Sequence, residues 1–169
     1  MTSKVLVVYA SKYGSTQEIA EAIGKELAAQ DLDVTVQAAD QPADVAAFDA
    51  VVVGSGIYAG NWMGSAVEFI ENNTELLSKK SVWLFSSGPT GDGDPVEILG
   101  GWQFPEALHG VVDRIAPRET RVFHGNIDID KINWGERNLV RAMKGNTGDF
   151  RNWDLIRAWA QQIAQAISS

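Results

Sequence analysis

The chain has 169 residues, a formal net charge of −8 and no cysteine. The length suits one domain with a sizeable core, and the missing cysteine excludes disulfides, iron–sulfur clusters, thiolate zinc sites and thiol catalysis. The acidic balance argues against nucleic acid, which needs a basic face, and suits basic partners.

Met1-Thr2-Ser3-Lys4 runs straight into an apolar stretch, with no h-region or cleavage site. No apolar run approaches the roughly 18 residues of a membrane helix, so the cytoplasm is the expected compartment. Lys4–Tyr9 is a valine-rich apolar run, as in a strand buried on both faces of a parallel sheet. A loop of hydroxyl and glycine residues, Ser11–Thr16, follows. A helix then runs to about Ala29, with Ile19, Ile23 and Leu27 in one stripe. Val34–Ala38 alternates weakly and reads as an edge strand. Phe48–Gly54 is the third strand and Ser55–Trp62 a loop, before a helix over Met63–Asn72. Ser81–Phe85 is the fourth strand, followed by a loop from Ser86 to Pro95. Pro105 opens a helix through Ile115, and Arg121–His124 is the fifth strand. Asn126–Arg151 is an inserted helical segment. Asn152 caps a last helix with Ile156, Ile163 and Ile167 inward.

Five β-α repeats with right-handed crossovers predict an α/β fold of three layers, α/β/α. Its five-stranded parallel sheet has order 2-1-3-4-5, with a helical insert after strand 5. In that order the strands numbered one, three and four are neighbours. Their following loops crowd one carboxyl edge, where ligands bind. A buried strand feeding a helix N-terminus is a phosphate-holding arrangement. A second reading of the first loop competes: Ser15-Thr16-Gln17-Glu18 fits a capping box, which stabilises any helix start. The dinucleotide fingerprint and the Walker lysine motif are both absent, so neither NAD nor ATP is indicated.

Ser11-Lys12-Tyr13-Gly14-Ser15-Thr16 resembles the FMN phosphate loop of flavodoxins. Ser55-Gly56-Ile57-Tyr58-Ala59-Gly60 and Ser87-Gly88-Pro89-Thr90-Gly91-Asp92 resemble the two loops that flank the flavin ring. The whole chain follows the order of elements of the flavodoxin-like FMN-binding family. It is most similar to the flavodoxin-domain group that includes the menaquinone-dependent protoporphyrinogen oxidases. By that resemblance Ser11, Ser15, Thr16 and the amides of Lys12–Thr16 hold the FMN phosphate, and the other two loops flank the ring. Three departures bear on one-electron behaviour rather than on FMN binding. Lys12 and Tyr13 stand where electron carriers often have threonine, Ser15 where they often have asparagine, and the third loop lacks a ring-stacking tyrosine.

Tyr58 and Trp62 have two readings, stacking on the flavin or packing on the sheet. Asp92 and Asp94 either oppose charge on reduced flavin or serve as turn residues beside glycine. His124, ending a strand, is a general base or a hydrogen-bonded structural residue. Within Asn126–Arg151, the run from Arg137 to Lys144 is basic in an acidic protein. Such a helix caps the sheet edge, covers a hydrophobic substrate, or lies on an anionic membrane through Lys131–Lys144. The resemblance implies an FMN-dependent oxidoreductase, with a redox partner protein or a quinone- or porphyrinogen-like substrate. The alternative is an electron-transfer flavodoxin. A non-redox receiver domain needs an aspartate ending the third strand and an acidic pair ending the first. Gly54-Ser55 and Ala10-Ser11 stand there instead.

Overall fold

The computed structural model describes residues 2–128, 130–142 and 147–169; Met143 and Lys144 of the basic run lie outside the described residues. Val5, Leu6, Val7 and Val8 of β1 (Lys4–Ala10) are fully buried. Successive strand residues point to opposite faces, so β1 serves two cores. Val5 and Val7 pack with Ile19, Ile23 and Leu27 of α1 (Ser15–Ala28) and with Ile156, Trp159 and Ile163 of the last helix. Leu6 and Val8 pack on the other side, with Ala66 and Ile70, and with Val112 and Ile115.

The sheet continues through β2 (Asp33–Ala38), β3 (Ala50–Tyr58), β5 (Ser81–Ser87) and β6 (Glu119–Phe123). The order is β2-β1-β3-β5-β6, all parallel, with β2 at an edge. Leaving out the short β4 (Asn61–Trp62), this is the expected 2-1-3-4-5. The helices α2 (Gly64–Asn72), α3 (Thr74–Leu77), α4 (Pro95–Ile98) and α5 (His109–Ile115) follow in order. The insert holds a two-stranded ribbon, β7 (Asn126–Ile127) with β8 (Gly148–Asp149), and α6 (Trp134–Ala142). The chain closes with α7 (Trp153–Ser168), capped by the Asn152 side chain on the Leu155 amide at 3.2 Å. No helix among the described residues is long and apolar enough to cross a membrane.

Two local expectations are corrected. The segment from Ser55 to Trp62 is not a loop. β3 runs on to Tyr58 and turns back into β4 through Ala59 and Gly60, both at positive φ (51° and 77°). The small residues Gly54-Ser55-Gly56 have loop composition but lie buried between β1 and β5, and Gly54 sits opposite Phe85. The capping box does not form either. Ser15 is already inside the helix, Gly14 takes the cap position at φ 93°, and no side chain caps α1. Gly14 is needed there because the left-handed conformation penalises a Cβ.

Candidate cofactor site

Parallel register carries β1, β3 and β5 to a common edge: Ala10 lies beside Ser55, and Gly56 beside Ser87. Beyond that edge lies a cavity of about 330 Å³, inside the ~300–1,000 Å³ range of cofactor sites. Its floor at one end is Lys12, Tyr13, Ser15 and Thr16. Gly56, Ile57, Tyr58 and Ala59 form one wall, and Ser87 with Gly88 the opposite one. The insert supplies the rest through Gly125, Asn126, Ile127, Asp128, Lys131, Ile132 and Glu136, with Glu18 of α1 at the rim.

The structure thus brings ten of the expected loop residues onto one cavity and leaves eight off it. Five of those eight shape the backbone around it. Ser11 Oγ accepts the Gly14 N–H at 3.0 Å. Ser55 Oγ, fully buried, donates to the Gly56 carbonyl at 2.8 Å and accepts the Met63 amide at 3.0 Å. Gly60 makes the hairpin turn. The Pro89 carbonyl accepts the Gly125 amide at 3.0 Å, which ties the third loop to the insert. Thr90 is half-buried, Gly91 is buried at φ 106°, and Asp92 is exposed.

The polar contacts within the cavity are specific. Ser15 Oγ is buried and has no hydrogen-bond partner among the described residues. Arg137 Nε and Trp159 Nε1 are likewise buried without a partner, but Ser15 alone of the three lines the cavity. The Lys12 amide donates to the Tyr58 hydroxyl at 2.8 Å. Burial pushes the Tyr58 phenol above its ordinary value. The Glu136 carboxylate accepts from Lys12 Nζ and from the Tyr13 hydroxyl. The Lys12 ammonium holds Glu136 below the usual carboxylate range, and Glu136 in turn raises Lys12.

Other candidates settle into structural roles. Trp62 is buried and donates Nε1–H to Ser86 Oγ at 2.7 Å. Asp94 caps α4 through the Val96 amide at 2.8 Å. The ring nitrogens of His124 lie 3.1 Å from the Pro89 carbonyl and 2.8 Å from the Gly93 carbonyl, so this residue braces the third loop. The sequence reading missed Glu18 and the insert's share of the cavity. Its one signal there was the inverted charge of Asn126–Arg151.

Fold and site define the class. This is a doubly wound α/β protein with a ligand cavity at its switch point, over a helix N-terminus that no side chain caps. The model of the flavodoxin domain family matches residues 6–154, and the chain belongs to that family. Its structure is similar to a flavodoxin from the domain Archaea (TM-score 0.64, 19% identity, 98% of this chain and 99% of that one). It also resembles Megasphaera elsdenii flavodoxin in its two-electron reduced form (TM-score 0.54, 24% identity, 71% and 84% covered). A third likeness is the rubredoxin oxygen:oxidoreductase of Desulfovibrio gigas (TM-score 0.61, 17% identity), where the match spans 99% of this chain and 36% of the longer one. No curated protein matches the sequence at a significant level. The family's cofactor is FMN, and the chain is an FMN-binding redox protein. The site fits that group: the cavity offers an unpartnered buried hydroxyl, an uncapped helix start and two glycine-bearing walls.

Proposed function

We propose that the FMN phosphate is held by Ser15, Thr16 and the backbone amides at the start of α1, in a loop that Ser11 shapes through the Gly14 amide, with the ring between Gly56–Ala59 and Ser87–Gly88. The unpartnered Ser15 hydroxyl supports the phosphate end, because a phosphate oxygen would satisfy it. We further propose an oxidoreductase that acts on small molecules, of the quinone-dependent protoporphyrinogen oxidase type that the sequence resembles. The observation that carries this reading is the insert. Gly125 to Asp128, Lys131, Ile132 and Glu136 form one side of the cavity, a wall that a carrier docking onto proteins does not need.

When bound, FMN supplies the electron storage. The chain's own residues orient it, exclude water and set the charge around it. Lys12 and Lys131 bring cations to the cavity; Glu18, Asp128 and Glu136 bring anions. The insert offers a route to a lipid-dissolved quinone as well. Trp134, at the start of α6, is 79% exposed, which suits an anionic membrane surface and a cytoplasmic protein at its periphery. The second reading is a flavodoxin shuttling electrons between proteins, favoured by the net charge of −8.

Holoprotein supplied with a porphyrinogen and a quinone under anaerobic conditions decides between them. The oxidoreductase reading expects porphyrin fluorescence to appear with quinone turnover. Absence of that turnover, with rapid electron exchange to a basic redox protein instead, refutes it in favour of the carrier.

A further inference from the structure

Two of the insert's attachments fall within the stretch from Lys12 to Glu18. At one end Glu136, in the first turn of α6, accepts from Lys12 Nζ and the Tyr13 hydroxyl. Asn133 holds that carboxylate in place. Its Nδ2 donates to Glu136 Oε1 at 2.9 Å, and its Oδ1 accepts the Glu136 amide at 2.8 Å. At the other end Arg151, its side chain only 5% exposed, donates to the Ser15 carbonyl at 3.2 Å and lies 3.5 Å from Glu18. Asp149 at 2.8 Å and the Trp153 ring at 4.7 Å fix the guanidinium.

Glu136 is oddly placed for a ligand-binding group. It is an anion at a loop suited to anions, and like charges at close range repel. It also engages Lys12 and Tyr13, two donor side chains of the loop assigned to the phosphate. Its carboxylate serves the insert rather than the ligand. An exposed ion pair contributes little by itself, but this one joins two walls of a single cavity through two donors and a bracing amide.

We propose that Glu136 is a positioning residue that buckles the insert onto the first loop, so that closure of α6 retains FMN in the cavity. The inference rests on the phosphate assignment above. It carries a kinetic signature. Removing the charge of Glu136 loosens the buckle, which speeds release. It also removes an anion from the entry path, which speeds binding. Exchange accelerates in both directions while affinity changes little. A residue that merely touched FMN would raise the release rate alone.

The test measures FMN binding and release by flavin fluorescence in wild type, Glu136→Gln and Tyr13→Phe, with riboflavin as the phosphate-free probe. Hydrogen exchange of the α6 amides in ligand-free protein is the second readout. Glu136→Gln is expected to raise both FMN rates about fivefold and Tyr13→Phe to raise release about twofold. The α6 amides of Glu136→Gln exchange faster without any flavin. Equal retention of FMN and riboflavin by wild type would overturn the phosphate assignment, and the proposal with it. A clear preference for FMN, with release and α6 exchange unchanged in Glu136→Gln, would overturn the buckle alone.

Discussion

Replacing Ser15 by alanine separates a ligand role from a structural one, because the two predict opposite signs. Ser15 Oγ is buried in the cavity wall without a partner. An unsatisfied buried hydroxyl costs about 1–3 kcal/mol, and serine is the poorer helix former by about 0.5 kcal/mol. The cavity opens to solvent, so the lower end of the first range applies. Ser15→Ala in ligand-free protein should therefore be more stable by about 1.5 kcal/mol, a rise of about 3–6 °C in Tm for a chain of this size. With FMN the sign reverses. A hydrogen bond to a charged group is worth about 1.5–3 kcal/mol, so FMN should bind about 10–100-fold more weakly. Thermal melts of the ligand-free pair, with FMN titrations followed by fluorescence quenching, measure both effects. A ligand-free variant less stable than wild type would refute the reasoning. So would an unchanged FMN affinity.

Three further expectations follow from the packing and the ion pairs. Gly54→Ala places a Cβ 2.0–2.4 Å from ring atoms of Phe85. That ring is wedged 6.1 Å from both Phe123 and Trp159, so it has nowhere to go. The variant should lose about 3 kcal/mol in denaturant unfolding, and a loss below about 1 kcal/mol would show that the core yields. Arg151→Met leaves Asp149 and Glu18 without their cation. Both carboxylates are part-exposed and rehydrate, so the expected cost is about 1–2 kcal/mol, short of the ~3–5 kcal/mol for fully buried pairs. Arg151 holds Asp149 below the usual carboxylate range. A carboxylate with a lowered folded pKa stabilises above its ordinary pKa and loses that contribution as pH falls through the folded value. Stability should therefore decline below pH about 4, and less steeply in Arg151→Met than in wild type.

The architecture was legible because it is written in period and polarity. The unbroken run Val5–Val8 announces a strand buried on both faces, and Ile19, Ile23 and Leu27 announce the helix that covers it. Once five such units are read, topology rules leave one common sheet order. The second loop misled for a physical reason. Glycine and serine mark loops by composition, yet Gly54 is small because Phe85 lies across from it, and Ser55 is buried with its hydroxyl spent on backbone. The turn signal sat later, at Ala59-Gly60. The capping box misled likewise: its pattern is local, but the positive φ of Gly14 shifted the helix start by one residue and left Ser15 facing the cavity. The insert's contacts were not legible, although a cover over the sheet edge or a substrate was among its readings. Lys12 and Glu136 are 124 residues apart, and no local pattern encodes a contact of that range. The inverted charge marked the segment without saying what it touches.

The central claim is that an FMN phosphate binds at the start of α1. Titration of the ligand-free protein with FMN and then riboflavin tests it most directly. Stoichiometric FMN binding is expected, with quenched flavin fluorescence and a markedly weaker hold on riboflavin. Protein that takes up no FMN, or that binds both flavins equally well, would contradict it.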